Sequence, residues 1–248
     1  MLLSDKKILV SGCGITFSRQ QNKTWTNILQ FAGCDIVDVG GPAVSNQWIV
    51  NKVFLGLQQY PEIKTAVIQL TGLKKLDVEV GPERIIGLVK ADPVRNFIID
   101  EKFQVTSAEQ INGPGVWPSS ASAHHESKKQ WYTWLCSPGL EKEDLYCKLL
   151  LLDAYCQQHS INLQVYQGYD IDWTAKQIVG LQNIIKNQQS AWYSAYLKSL
   201  HFQNHSHENQ NSVPCVGYQI EIAQMVAKEL PQHIQDKIMK FKLAHDRT

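Results

Sequence analysis

The chain has 248 residues, with 24 Lys and Arg against 23 Asp and Glu and 44% hydrophobic residues. That apolar content supports one sizeable core and excludes disordered and collagen-like chains. A formal charge of +1 offers no electrostatic grip on nucleic acid or anionic lipid, and the longest apolar runs, such as Leu149 to Leu152, fall far short of the ~20 residues that span a bilayer.

The opening Met1-Leu2-Leu3-Ser4-Asp5-Lys6-Lys7 lacks the order of a secretory signal, so a cytoplasmic protein is expected, with neither nucleic acid nor membrane as partner. Lys7 to Ser11 is a β-rich run stopped by Gly12, and Asp35 to Val39 is a second, stopped by Gly40-Gly41. Between them Trp25, Ile28, Leu29 and Ala32 fall at helical spacing, with Thr16 and Ser18 read as capping residues. Ser45 to Tyr60 carries Ile49, Val53 and Leu57 on one helical face, and Thr65 to Leu70 reads as a buried third strand. From Thr71 to about Ser127 the periodicity fails apart from a short hairpin at Phe97–Ile99 and Phe103–Val105, which predicts a lid or binding loop over 71–127.

Ser137-Pro138 followed by Glu141, Glu143 and Asp144 is a helix start, with Leu145, Leu149, Leu152 and Cys156 as its buried stripe. Asn162 to Tyr166 reads as a further strand, and a last helix runs from Ser212-Val213-Pro214 to Pro231. Alternating strands and helices predict a single α/β domain over 1–248, a three-layer α/β/α sandwich around a flavodoxin-like parallel sheet of about five strands. The six cysteines form no CxxC pair. Cys34, Cys147 and Cys156 sit in apolar patterns as small hydrophobes, so neither a disulfide framework nor a metal or other cofactor is expected.

In an open parallel sheet, ligands bind outside the carboxyl ends of the strands. The segments to inspect are Ser11 to Ser18, Asp38 to Asn46, Gln69 to Lys74, and the histidine-rich stretch before the last helix. These blocks, in this order on this pattern of elements, resemble the SGNH (GDSL-like) hydrolase superfamily, in the branch whose first block reads roughly Gly-Cys-Ser. The resemblance implies acyl transfer: a nucleophilic serine from the first block, oxyanion donors from a glycine of the second and an asparagine of the third, and a late Asp-x-x-His. That chemistry needs a nucleophile beside a base and donors aimed at the developing oxyanion.

Laid residue by residue on that pattern, Gly14 falls where the nucleophile belongs. Asp38 and Gly40 match the second block, Ala43 stands at the oxyanion glycine but keeps its backbone N–H, and Ser45 and Asn46 follow. Gly72 matches the third block, with Lys74 in place of asparagine. Of His201, His205 and His207, the last is the best candidate base, and none has an aspartate three residues earlier. Cys13 is an alternative nucleophile, set against the commoner role of an inert buried thiol. The aromatic set Trp117, Trp131, Tyr132, Trp134, Trp173, Trp192, Tyr193 and Tyr196 suits core or lid packing first and stacking on sugar rings second.

The expected function is an ester hydrolase or acyltransferase on small acyl or carbohydrate esters with a degenerate centre. The alternative is a non-catalytic relative binding a small-molecule or sugar-like ligand. Gly12-x-Gly14 with Asp38 also partly matches a dinucleotide fingerprint, but Phe17 stands at its third glycine, where a ring obstructs close helix packing.

Overall fold

The computed structural model describes residues 7–13, 15–16, 24–41, 44–73, 75–80, 97–100, 105–107, 115–120, 138–199 and 215–245. In chain order its elements are β1 (Lys7–Ser11), α1 (Trp25–Phe31), β2 (Asp35–Asp38), α2 (Asn46–Gln59), β3 (Thr65–Leu70), β4 (Lys75–Val80), β5 (Phe97–Asp100), β6 (Val105–Ser107) and β7 (Gly115–Ser120). There follow α3 (Pro138–Gln158), β8 (Asn162–Gln167), α4 (Ala175–Leu181), α5 (Trp192–Leu197), α6 (Val216–Ala227) and α7 (Gln232–His245).

Four strands pair in parallel in the order β2-β1-β3-β8. Ile8 stands opposite both Ile36 and Thr65, and Val67 opposite Gln164. Among the described residues this sheet has four strands, against the expected about five. Where a fifth would lie, Ile185 makes a single parallel bridge to Val165, with the Lys186 N–H donating to the Val165 carbonyl at 2.9 Å. β2 forms the opposite edge, with exposed Asp35 and Asp38 at its two ends.

Period-two alternation sorts the strand side chains into two cores. Leu9, Ala66, Ile68, Leu163 and Val165 pack with α2 and α3, while Ile8, Val10, Val67 and Tyr166 pack with α1, α6 and α7. The predicted stripe of α3 is buried throughout: Leu145, Leu149, Leu152 and Cys156 are at most 2% exposed. Cys147, expected among the small hydrophobes, is exposed, because it lies two residues before Leu149 and so off that face. The aromatic residues Trp173, Trp192 and Tyr196 are buried, with Trp192 edge-on to Trp25 and stacked on Tyr166.

Two local expectations change. The cap of α1 is Thr24, whose N–H donates to Asn27 Oδ1 at 3.2 Å, and not Thr16, while Ser18 lies outside the described residues. The segment after Thr71, expected to lack strong elements, holds a four-stranded antiparallel sheet in the order β4-β7-β5-β6. Its β5–β6 pair falls near the expected hairpin, with the second strand at Val105–Ser107 rather than Phe103–Val105, Phe97 opposite Ser107 and Ile99 opposite Val105. β4 and β7 zip together from Lys75 opposite Ser120 to Val80 opposite Gly115. Among the described residues no helix is long and apolar enough to cross a membrane.

Candidate functional site at the carboxyl edge of the sheet

In the order β2-β1-β3-β8, the connections from β1 and β3 leave in opposite directions, and the crevice between their carboxyl ends is where doubly wound sheets bind ligands. Gln69, the last residue but one of β3, lies at that point of the sheet. It is fully buried. Its Oε1 accepts from the Cys13 N–H at 3.0 Å and from the Thr16 hydroxyl at 3.1 Å. Its Nε2 donates to the Leu70 carbonyl at 2.7 Å and reaches Cys13 Sγ at 3.6 Å. A buried amide with both ends engaged holds its neighbours rigidly, since breaking any of these bonds strands a polar group away from water. Thr16 extends the lattice by accepting from Trp25 Nε1 at 3.3 Å, so this threonine welds the turn after β1 to the start of α1.

Asn46, the first residue of α2, plays a similar part at the next loop. Its Oδ1 accepts from the Thr71 N–H at 2.7 Å, and its Nδ2 donates to the Thr71 carbonyl at 2.9 Å. α2 itself starts at Ser45, whose hydroxyl accepts from the Trp48 N–H at 3.2 Å. The loop after β2 is pinned in turn to that after β1: the Val39 N–H donates to the Val10 carbonyl at 2.8 Å and the Gly41 N–H to the Gly12 carbonyl at 3.0 Å. Gly40 passes so close that a Cβ there would stand 3.0 Å from the Gly12 carbonyl oxygen.

The structure thus gathers Cys13, Asn46 and Gly72 around the end of β3. The Cys13 thiol is 1% exposed and belongs to the core on the α2 side. Both ends of the Asn46 amide are spent on Thr71, and Gly72 lies half-buried against the Tyr169 ring. Gly14, Ala43, Lys74 and His207, together with His201 and His205, lie outside the described residues. So do Phe17, Trp131, Tyr132 and Trp134. Among the described residues no three His, Cys, Asp or Glu side chains come together as metal ligands.

Sequence reasoning singled out neither Gln69 nor Tyr169. Gln69 had a signal, being the one amide in the run Thr65-Ala66-Val67-Ile68-Gln69-Leu70. Tyr169 lies two residues past β8, on the same edge as the other blocks, and packs against both cores. Burial first, and then the neighbouring Cys13, push its phenol above the ordinary tyrosine range. The Tyr193 ring lies 5.1 Å away. The segment leaving β8 is tied down by the Gly168 N–H donating to the Leu70 carbonyl at 2.8 Å, and by Asp170, which accepts from the Ala191 N–H and the Ser194 hydroxyl.

The Asn46 bracket gives a stability test. Asn46→Ala removes both partners of the Thr71 peptide groups in a buried setting, where each stranded group costs ~1–3 kcal/mol. Denaturant unfolding is expected to show a loss of ~3 kcal/mol, whereas a loss below ~1 kcal/mol would show that the bracket is dispensable.

Asp38 supplies a pH test. Its residue surface is exposed, yet enclosure of the carboxyl on its protein side pushes it up to about 6, against the pull of the Gly40 N–H at 2.8 Å. A folded-state pKa above the unfolded value means the folded form holds the proton more tightly. Stability from this group is present below the unfolded pKa, near 3.8, and is lost as pH rises through about 6. Asp38→Asn, which keeps the acceptor oxygen, should melt higher than wild type at pH 7 and equal to it at pH values well below the unfolded pKa. A difference independent of pH would remove the carboxyl as its cause.

No protein-family model and no curated protein matches the chain. Among solved structures it is similar to TesA, at 9% identity and a TM-score of 0.44, over 90% of this chain and 96% of that one. It is also similar to the psychrotrophic esterase EstA from Pseudoalteromonas sp., in a structure inhibited by monoethylphosphonate, at 12% identity, a TM-score of 0.44 and the same coverages.

Proposed function

We propose that the chain is a divergent ester hydrolase or acyltransferase of the SGNH type, acting on small acyl or carbohydrate esters through a degenerate centre. The observation that carries this reading is the carboxyl edge of the parallel sheet, where Gln69 and Asn46 lock the loops after β1, β2 and β3 around one crevice. Those loops are the blocks from which the resemblance draws its nucleophile and oxyanion donors. In this reading His207 acts as base, and Lys74 and the Ala43 N–H face the developing oxyanion. Gly14 leaves the nucleophile position without a side chain, and Cys13 is the only thiol close to it in sequence.

The enclosure of Cys13 favours a second reading, a non-catalytic relative that keeps the crevice to bind a small or sugar-like ligand. A thiol at 1% exposure meets no substrate without movement of its surroundings, and the Cys13 N–H already serves Gln69 instead of an oxyanion. Turnover of p-nitrophenyl acetate and butyrate by wild type, Cys13→Ala and His207→Ala separates the two. Slow hydrolysis lowered by His207→Ala and untouched by Cys13→Ala supports the degenerate enzyme. Hydrolysis no faster than buffer, with a saturable rise in melting temperature on adding an acetylated methyl glucoside, supports the binder. Fast hydrolysis abolished by Cys13→Ala replaces both with a thiol enzyme.

A further inference from the structure

On the side of the molecule formed by α1 and α7, an open groove of about 340 Å³ runs between the two helices. Its floor is Ile28, Ala32 and Ile238, and its rims carry Phe31 and Phe241 with Lys237 and Lys240. Phe31 is 72% exposed and Phe241 37%, an unusual outlay of aromatic surface to water on one corner of a soluble fold. Ile234 and Ile238 alone anchor α7 as buried residues, so the helix lies along the surface rather than within it.

The near-neutral balance of the whole chain hides a local asymmetry. From Lys237 to His245 the sequence runs Lys-Ile-Met-Lys-Phe-Lys-Leu-Ala-His, with three lysines and no acid. The one acid of the helix, Asp236, accepts from Gln232 Nε2 at 2.9 Å along the helix. Among the described residues Lys237 and Lys240 make no ion pair. Lys237 Nζ instead sits over Gly33, whose positive φ of 102° turns the chain off α1. Apolar rings on two neighbouring surface helices, flanked by ammonium groups with no ion pair among the described residues, match the requirements of a bilayer interface: rings enter the acyl boundary while lysines snorkel to anionic headgroups.

We infer that the α1–α7 groove is a docking surface for an anionic lipid bilayer, with Phe31 and Phe241 as its apolar contacts and Lys237 and Lys240 as its headgroup contacts. An acidic protein would satisfy the lysines but has less use for two exposed rings beside them. The weak, reversible attachment implied by two rings and two lysines needs no spanning segment.

The test is co-sedimentation of the full chain with vesicles of phosphatidylcholine alone and with about 30% phosphatidylserine, at low salt and at about 0.5 M salt. The expected result is binding to the anionic vesicles at least tenfold above the neutral ones, lost at high salt. Lys237→Gln with Lys240→Gln should weaken it about twenty-five-fold, as two roughly fivefold losses. Phe31→Ser with Phe241→Ser should abolish it, and Phe31→Ser alone, at a side chain 72% exposed, should weaken it without lowering the melting temperature. A chain that ignores all vesicles, binds both kinds equally, or survives both double substitutions overturns the inference. So does a wild-type dimer in sedimentation velocity that the phenylalanine variant converts to monomer, which would assign the groove to a second copy. Hydrolysis of soluble esters is read separately and is expected to be the same in all variants.

Discussion

Gly14→Ser is expected to raise hydrolysis of p-nitrophenyl acetate by about a hundredfold over wild type, more than any other single substitution in the chain. The covalent route to acyl transfer needs a nucleophile on the turn after β1, and the sequence there reads Ser11-Gly12-Cys13-Gly14-Ile15-Thr16. Donors and binding alone retain only the ~10³ to 10⁴-fold catalysis left when a triad is dismantled, so the unsubstituted chain should stay slow. The flanks of position 14 are firmly held: the Thr16 N–H donates to the Cys13 carbonyl at 2.8 Å, and Gln69 engages both residues. A hydroxyl placed there starts from a rigid frame, which is what positioning requires. His207→Ala in the Gly14→Ser background should return the rate to that of wild type. A Gly14→Ser chain no faster than its parent, with its fold intact, would remove the hydrolase reading and leave the binder.

The second large effect concerns stability. Gly168→Ala is expected to cost ~3 kcal/mol or more, because its Cβ would run into Gln69 Nε2 and stand 2.8 Å from the Leu70 carbonyl oxygen. Neither neighbour gives way cheaply, since that amide already holds the turn after β1 and that carbonyl accepts from both Gln69 and Gly168. For a chain of this size the melting temperature should fall by ~6–12 °C. Gly72→Ala is the control: its Cβ would meet the Tyr169 Cβ at 3.6 Å, an ordinary contact, and its melting temperature should not move. Equal melting of the two variants would mean that this end of β3 is softer than its hydrogen bonds indicate.

Much of the main sheet was legible because its buried strands are short apolar runs and its helices carry single stripes. Thr65 to Leu70 and the Leu145, Leu149, Leu152, Cys156 series needed nothing beyond periodicity. α7 escaped because only Ile234 and Ile238 of its inner face are buried, too few to stand out among Met239, Phe241 and Leu243. β4 had a readable signal, since Leu76, Val78 and Val80 alternate with Lys75, Asp77 and Glu79, whereas its partner β7 contains Pro118, a residue that argues against a strand. At the crevice, topology pointed to the right loops, but Gln69 and Tyr169 acquire their importance only from strand order. Gln69 meets Cys13 across 56 positions of sequence because β3 lies beside β1. The loop after β8 joins the others for the same reason.

The two margins of the parallel sheet also bear on how the protein behaves when concentrated. An uncovered strand is a template on which another chain can extend the ladder, and proteins commonly guard such margins with charge or with very short strands. β2 is four residues long with Asp35 at one end and Asp38 at the other, so at a pH above about 6, where the Asp38 carboxyl is also ionised, two molecules meeting margin to margin would bring like charges together. At the other margin the Ile185 rung occupies the middle of β8, and the Asn187 side chain takes up its end by accepting from the Gln167 N–H at 2.7 Å and donating to the Gln167 carbonyl at 2.9 Å. Fibrous self-association is thereby opposed from both sides, by repulsion at β2 and by prior occupancy at β8. Replacing Asp35 and Asp38 together would open the first of these routes.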